Sequence, residues 1–246
     1  MEGLALALGI GFVLGLLGGG GSILVVPALT YLMGFETKTA VVTSLAVVGL
    51  AAAAGALASF ARGTLHLVPA LIIGGSTMVG AYAGARAGAH LADTTQLTIL
   101  AAVMIGAGAA MLYQSLHTPA DPTPRITRPR PMALGALGVG LGVITGLVGV
   151  GGGFLIVPAL VIAGGLPMRE ASSASLLAMA LATMAGLAGY AGRVQFAWSF
   201  VLPFAAVASA GTITGGLVAH HMPHQRLQQV FAVVIVSIAV FILTRG

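Results

Sequence analysis

The chain has 246 residues, of which 58 % are hydrophobic and only 6 % charged, with a formal net charge of +5 and no cysteine. A soluble globule carries roughly 25 % charged residues, so this composition cannot cover a water-facing surface. The missing cysteines exclude disulfides, thiolate metal sites and cysteine nucleophiles.

In hydrocarbon the backbone must satisfy its own hydrogen bonds, which leaves helices or closed barrels. Unbroken apolar runs such as Leu97–Tyr113 and Val230–Leu243 do not alternate as barrel strands do, so the chain reads as an all-α integral membrane protein. The first 21 residues lack the basic n-region and small-residue cleavage site of a signal peptide and read as the start of the first membrane segment. In chain order the segments are about 4–33, interrupted at Gly18–Gly21, then 40–60, 66–90 and 96–114. A proline- and arginine-rich stretch follows, His117–Pro131, which reads as an aqueous loop. Its Arg125, Arg128 and Arg130 are what the positive-inside rule places in the cytoplasm, not a nucleic-acid patch. The remaining segments are about 133–164, interrupted at Gly149–Gly153, then 171–191, 197–219 and 227–244.

The two interruptions are one sentence written twice. Gly15–Leu29 reads GLLGGGGSILVVPAL and Gly146–Leu160 reads GLVGVGGGFLIVPAL, 131 residues apart and identical at 10 of 15 positions. The same offset pairs Ser44 with Ser175, Gly55 with Gly186, Arg62 with Arg193, Gly80 with Gly211, Gly84 with Gly215 and His90 with His221. The chain is therefore two homologous four-segment halves, 1–116 and 132–246, joined by a polar loop at 117–131. Each broken segment is too long for one crossing, so it is either a re-entrant hairpin or a single interrupted span. The hairpin gives three full crossings per half and an inverted repeat, the single span four and a parallel one. Loop charges tally similarly for both; inversion is favoured because the two breaks would then face each other near the midplane.

Consecutive glycines inside a membrane helix release backbone N–H groups that lipid cannot solvate, so the break must be buried in protein or line a wet cavity. The helices that restart near Ser22 and Gly153 present free amides and a positive dipole end, and two of them facing one space would form an anion site. The glycines do not read as nucleotide loops, since no Gly-Lys-Ser/Thr follows and no strand precedes them. Close helix packing is the competing reading for them and the preferred one for Gly80, Gly84, Gly88, Gly211 and Gly215. All five carboxylates, Glu2, Glu36, Asp93, Asp121 and Glu170, fall at segment ends or in loops, so a carboxylate proton relay or an acid-lined cation site is unsupported. Arg62 and Arg193 either add charge to an anion path or snorkel to the interface, and Arg86 has the same two readings. Ser44 and Ser175 offer hydroxyls to a substrate or to neighbouring helices. His220, His221 and His224 lack an acidic or cysteine partner and read as interfacial, not as a metal site, while His66 and His90 are candidates for proton coupling.

The doubled G-x-G-G-G-x-x-x-x-P-x-L pattern, followed by Ala40–Leu45 (AVVTSL) and Ala171–Leu176 (ASSASL), resembles the TauE/SafE sulfite exporter family, the TSUP transporters. The resemblance covers essentially the whole chain, although the glycine runs differ, Val150 standing opposite Gly19. It implies a secondary transporter, not an enzyme, that moves small sulfur-containing anions such as sulfite or organosulfonates outward across a prokaryotic cell membrane. It implies no cofactor. Alternating access would run around a midplane site holding the anion on Gly19, Gly20, Gly21 and Ser22 and on Gly151, Gly152 and Gly153. Ser44, Ser175, Arg62, Arg86 and Arg193 would contribute hydroxyls and charge. The partners expected are the anionic substrate, the bilayer and, as options left open, protons and a second copy of the chain. A passive anion channel is the alternative.

Overall fold

The computed structural model describes residues 2–17, 20–117, 131–162, 168–192 and 198–218, with 236, 237, 239, 240 and 242. Among these residues there are helices and turns but no strands. The first helix, α1 (Glu2–Leu17), is followed by a composite stretch: a 3-10 turn at Gly20–Leu24, the short α2 (Val25–Pro27) and a π-turn at Ala28–Leu32. Then come α3 (Thr37–Ala61), α4 (Leu67–Gly88) and α5 (Asp93–His117). The second series is α6 (Pro131–Val148), α7 (Gly153–Ile162), α8 (Met168–Tyr190) and α9 (Trp198–Val218). Moved by 131 residues, α1, α3 and α4 land within two residues of α6, α8 and α9 at both ends. The central loop beyond His117 and most of the expected last segment lie outside the described residues.

Among the described residues five helices are long and apolar enough to cross a bilayer: Thr37–Ala61, Leu67–Gly88, Asp93–Ala110, Glu170–Tyr190 and Trp198–Val218. The chain is thus a multi-pass helical membrane protein. Two of these helices are interior, with 78 % of the α3 span and 67 % of the α8 span buried against 33–39 % for the others. They pack on each other, and their register fixes their sense. Leu45 meets Gly186, Gly49 meets Thr183 and Gly55 meets Leu176, so the numbers fall on one helix as they rise on the other. The equivalent helices α3 and α8 are antiparallel.

Two outer seams are parallel. On α1 and α9, Gly11 lies on Ala208, Gly15 on Thr212, and Gly215 on Phe12 and Leu16. On α4 and α6, Gly142 lies on Thr77, Gly146 on Ala81 and Gly84 on Val143. In each case backbone rests on backbone, at a distance no Cβ could enter. Lipid chains give helices no hydrophobic reason to associate, so this close approach, with its dispersion contacts, is what holds them. The packing reading of Gly80, Gly84, Gly211 and Gly215 is what the structure contains.

The composite stretch after α1 runs back along it. Gly21 packs on Ile10 and Leu14, and Met33 returns to within reach of Gly3. Phe35 then stacks on Phe200 of α9 (5.2 Å between centroids), which continues to Phe204 (5.3 Å) and ties the end of this stretch to the bundle.

With no native cysteine, the antiparallel pair is open to direct chemical measurement. A Gly55→Cys/Leu176→Cys double variant should be joined by a short bis-maleimide. Gly55→Cys/Gly186→Cys, the pair a parallel arrangement would align, should not; the reverse pattern would contradict the register.

Candidate functional site

The second interruption is a left-handed turn. Gly149, Gly151 and Gly152 have φ of 75°, 72° and 69°, a region in which a Cβ clashes with the following carbonyl. The turn closes with Gly149 N–H donating to Thr145 O (2.8 Å) and restarts as α7, where Leu155 and Ile156 N–H both donate to Gly152 O at 3.0 Å. The first-turn amides of Gly153 and Phe154 have no acceptor within their own helix. The first copy differs: its restart is the 3-10 turn from Gly20, not a regular helix N-terminus, and Gly18 and Gly19 lie outside the described residues. Pro27 lacks an amide hydrogen and sits where the helix loosens into its π-turn.

The two interruptions meet. A Cβ built on Gly151 would lie 3.5 Å from Cβ of Ser22, which is fully buried. Gly149 and Gly151 also rest on Val41 and Val48 of α3. These valines are seven residues apart, and Ser44 lies between them on the same helix face. Ser44 is 0 % exposed and its Oγ has no hydrogen-bond partner. Its counterpart Ser175 is equally buried but donates to Ser172 O at 2.8 Å. Of the residues named from the sequence, Ser22, Ser44, Gly151 and the adjoining Gly152 and Gly153 are therefore brought together. Gly21 is turned toward α1.

The arginines are not brought there. Arg62 folds back on its own helix, Nε donating to Ala58 O (3.0 Å) and Nη2 to Ser59 Oγ (3.4 Å). That puts its charge about 15 Å along α3 from Val48, where a unit charge is worth about 1 kcal/mol at an effective dielectric of 20. It stands instead near the end of α1: a Cβ on Gly216 would lie 3.7 Å from Arg62 Nη2 and 3.9 Å from Gly15 O. Arg86 is exposed, with its guanidinium over the Tyr82 ring at 5.5 Å. Arg193 lies outside the described residues, as do His220, His221 and His224. His66 and His90 are exposed at helix ends, His66 3.3 Å from Glu170 and His90 bonded to Arg86 O. Lys38 pairs with Asp93 at 4.0 Å.

What the sequence reading missed is how the carbonyl side of the second break is held. Gln96, 1 % exposed in the first turn of α5, donates through Nε2 to Leu147 O (2.6 Å) and to Tyr190 OH (3.0 Å). Tyr190 OH in turn donates to Leu147 O at 3.4 Å. An amide at the polar start of an apolar helix was the available signal, but the repeat does not preserve it: Leu227 and Ser59 stand at the positions equivalent to Gln96 and Tyr190. Among the described residues every buried polar side chain is neutral, eleven serine and threonine hydroxyls, the Tyr190 phenol and this one amide, and no cluster of potential metal ligands occurs.

The arrangement defines a polytopic helical membrane protein whose two glycine-broken segments converge on its central helices. Residues 3–242 match the family model described as "Sulfite exporter TauE/SafE", and the chain belongs to that family. It is 30 % identical over 240 residues to a "Probable membrane transporter protein" of Xylella fastidiosa (strain Temecula1), covering 96 % of this chain and 92 % of that one. It is 28 % identical over 187 residues to the "Probable membrane transporter protein YdhB" of Bacillus subtilis (strain 168), 74 % of each chain. No solved structure matches. The chain is thus a probable membrane transporter by family and by relatives.

Because Gly151 and Gly152 have positive φ, Gly151→Ala and Gly152→Ala should each cost about 1–2 kcal/mol or more in stability. Gly75→Ala, in a helix with open space around it, should be neutral or gain up to about 1 kcal/mol. Thermal loss of the monodisperse fraction in detergent measures all three.

Proposed function

We propose that the chain is a secondary transporter, working as an exporter, for small sulfur-containing anions such as sulfite or organosulfonates. Its two halves form an inverted repeat, each opening with a re-entrant hairpin, and access alternates around the place where the hairpins meet. The antiparallel sense of α3 and α8 supports the inversion. The return of the 20–33 stretch along α1 supports the hairpin. Relatives in two bacteria support a prokaryotic cell membrane as its location.

The single observation that carries the reading is the approach of Gly151 to Ser22 beside a fully buried, unpartnered Ser44. A buried hydroxyl without a partner is a standing cost, and a bound oxyanion would remove it. The α7 amides add donors just after Gly151, and among the described residues no carboxylate is buried to repel the anion.

Purified protein in liposomes, supplied with labelled sulfite, provides the test. Uphill movement driven by a proton gradient marks a coupled transporter, whereas downhill flux that only follows voltage marks an anion channel. Ser44→Ala separates function from folding. Its melting temperature should be equal to or above that of the parent, while its half-saturating sulfite concentration rises about tenfold or more, the worth of a hydrogen bond to a charged group. A variant with unaltered affinity would remove Ser44 from the site.

A further inference from the structure

We infer that the stretch 20–32 changes its winding during transport: its tight and wide turns relax together into regular α-helix, and the residues between them rotate against the second break. Its role in transport rests on the reading proposed above; the rewinding itself does not.

One run of sequence is wound in two ways in this molecule. Gly153–Leu160 (GFLIVPAL) lies in α7, a regular ten-residue helix. Ser22–Leu29 (SILVVPAL) runs instead from the 3-10 turn through α2 into the π-turn. The motif therefore accepts regular winding, and its first copy departs from it in two opposite senses. Ala28 N–H donates three residues back, to Val25 O, and Met33 N–H five residues back, to Ala28 O (3.2 Å). A 3-10 turn is overwound by about 20° per residue against an α-helix, or about 100° over the length of Gly20–Leu24. A π-turn is underwound, so Ala28–Leu32 returns twist of the opposite sign. Both can relax together with little change at either end, where Gly21 packs on Ile10 and Leu14 and Phe35 stacks on Phe200. Residues 22–27 would meanwhile turn by up to about 100° round the helix axis.

Thr30, inside the π-turn, gives the change its direction. Its Oγ is buried without a hydrogen-bond partner, which is a standing cost. In the regular helices Thr98, Thr145, Thr183 and Thr212 each donate to the carbonyl four residues back, at 2.7–2.9 Å. Regular winding would offer Thr30 the same bond, to Val26 O. Ser22, which meets Gly151, lies on the part that turns, so each rewinding breaks that contact and remakes it.

Thr30→Val keeps the side chain's shape, removes the donor and installs the residue that the second half has there, Val161. It withdraws a bond that only the rewound form makes, so the melting temperature in detergent should equal or exceed the parent's. The maximal rate of labelled sulfite uptake into proteoliposomes should fall about fivefold or more, the worth of one hydrogen bond, and Thr30→Ser should restore it. Amide hydrogen exchange over residues 28–35 should be slower in Thr30→Val than in the parent, with residues 155–160 alike in both. Parental uptake by Thr30→Val, unchanged exchange, or an equal loss in Thr30→Ser would overturn the inference. If the parent takes up no sulfite, the proposed substrate fails, and the exchange comparison still decides the rewinding.

Discussion

A helix cut inside hydrocarbon exposes carbonyls on one side of the cut and amides on the other, and neither can be left bare against lipid. Much of this molecule can be understood as the answer to that constraint. At the second cut the carbonyl side is closed by Gln96 and Tyr190 on Leu147. At the first, Arg62 Nη2 and Gly15 O, near the end of α1, both flank Gly216, while the guanidinium bonds to its own helix. The amide side is treated differently. Leu155 and Ile156 share the Gly152 carbonyl, and the amides ahead of them have no acceptor within their own helix. At the second cut the structure closes the negative end with side chains from two other helices.

Glycine serves two unrelated purposes here. In the seams it is needed because backbone touches backbone, as where Gly146 meets Ala81 or Gly15 meets Thr212. In the turn at 149–152 it is needed because φ is positive. The former is a matter of space and the latter of conformation, and the two demands lie side by side in the same motif.

The helical character, the correspondence of α1, α3 and α4 with α6, α8 and α9 and the second break were legible in the sequence, because each leaves a local mark in residue type and spacing; the expected last segment lies outside the described residues. Helix limits followed to within a few residues. The sense of the helices was not legible, since loop charges tally alike for either topology and the answer lies in contacts such as Gly55 with Leu176. The paired arginines drew attention because the repeat keeps them, yet Arg62 binds its own helix. Gln96 and Tyr190 escaped notice for the opposite reason, as one half alone has them. Internal symmetry identifies what both halves need and hides what makes them differ, and Ser44 and Ser175, alike in sequence and unlike in bonding, illustrate the limit.

Each outer seam joins helices from different halves, and this bears on the order in which the protein can assemble. When α6 is synthesised, α4 is already made and can receive it. α1 has no such host: its glycine face waits for α9, roughly 200 residues later in the chain, so its pairing is among the longest-range contacts in the molecule. During synthesis α1 must therefore be held by lipid, by the insertion machinery or by a provisional neighbour. The last seam to close is the one that brings the chain's beginning into register with its end, and errors of membrane assembly should concentrate there.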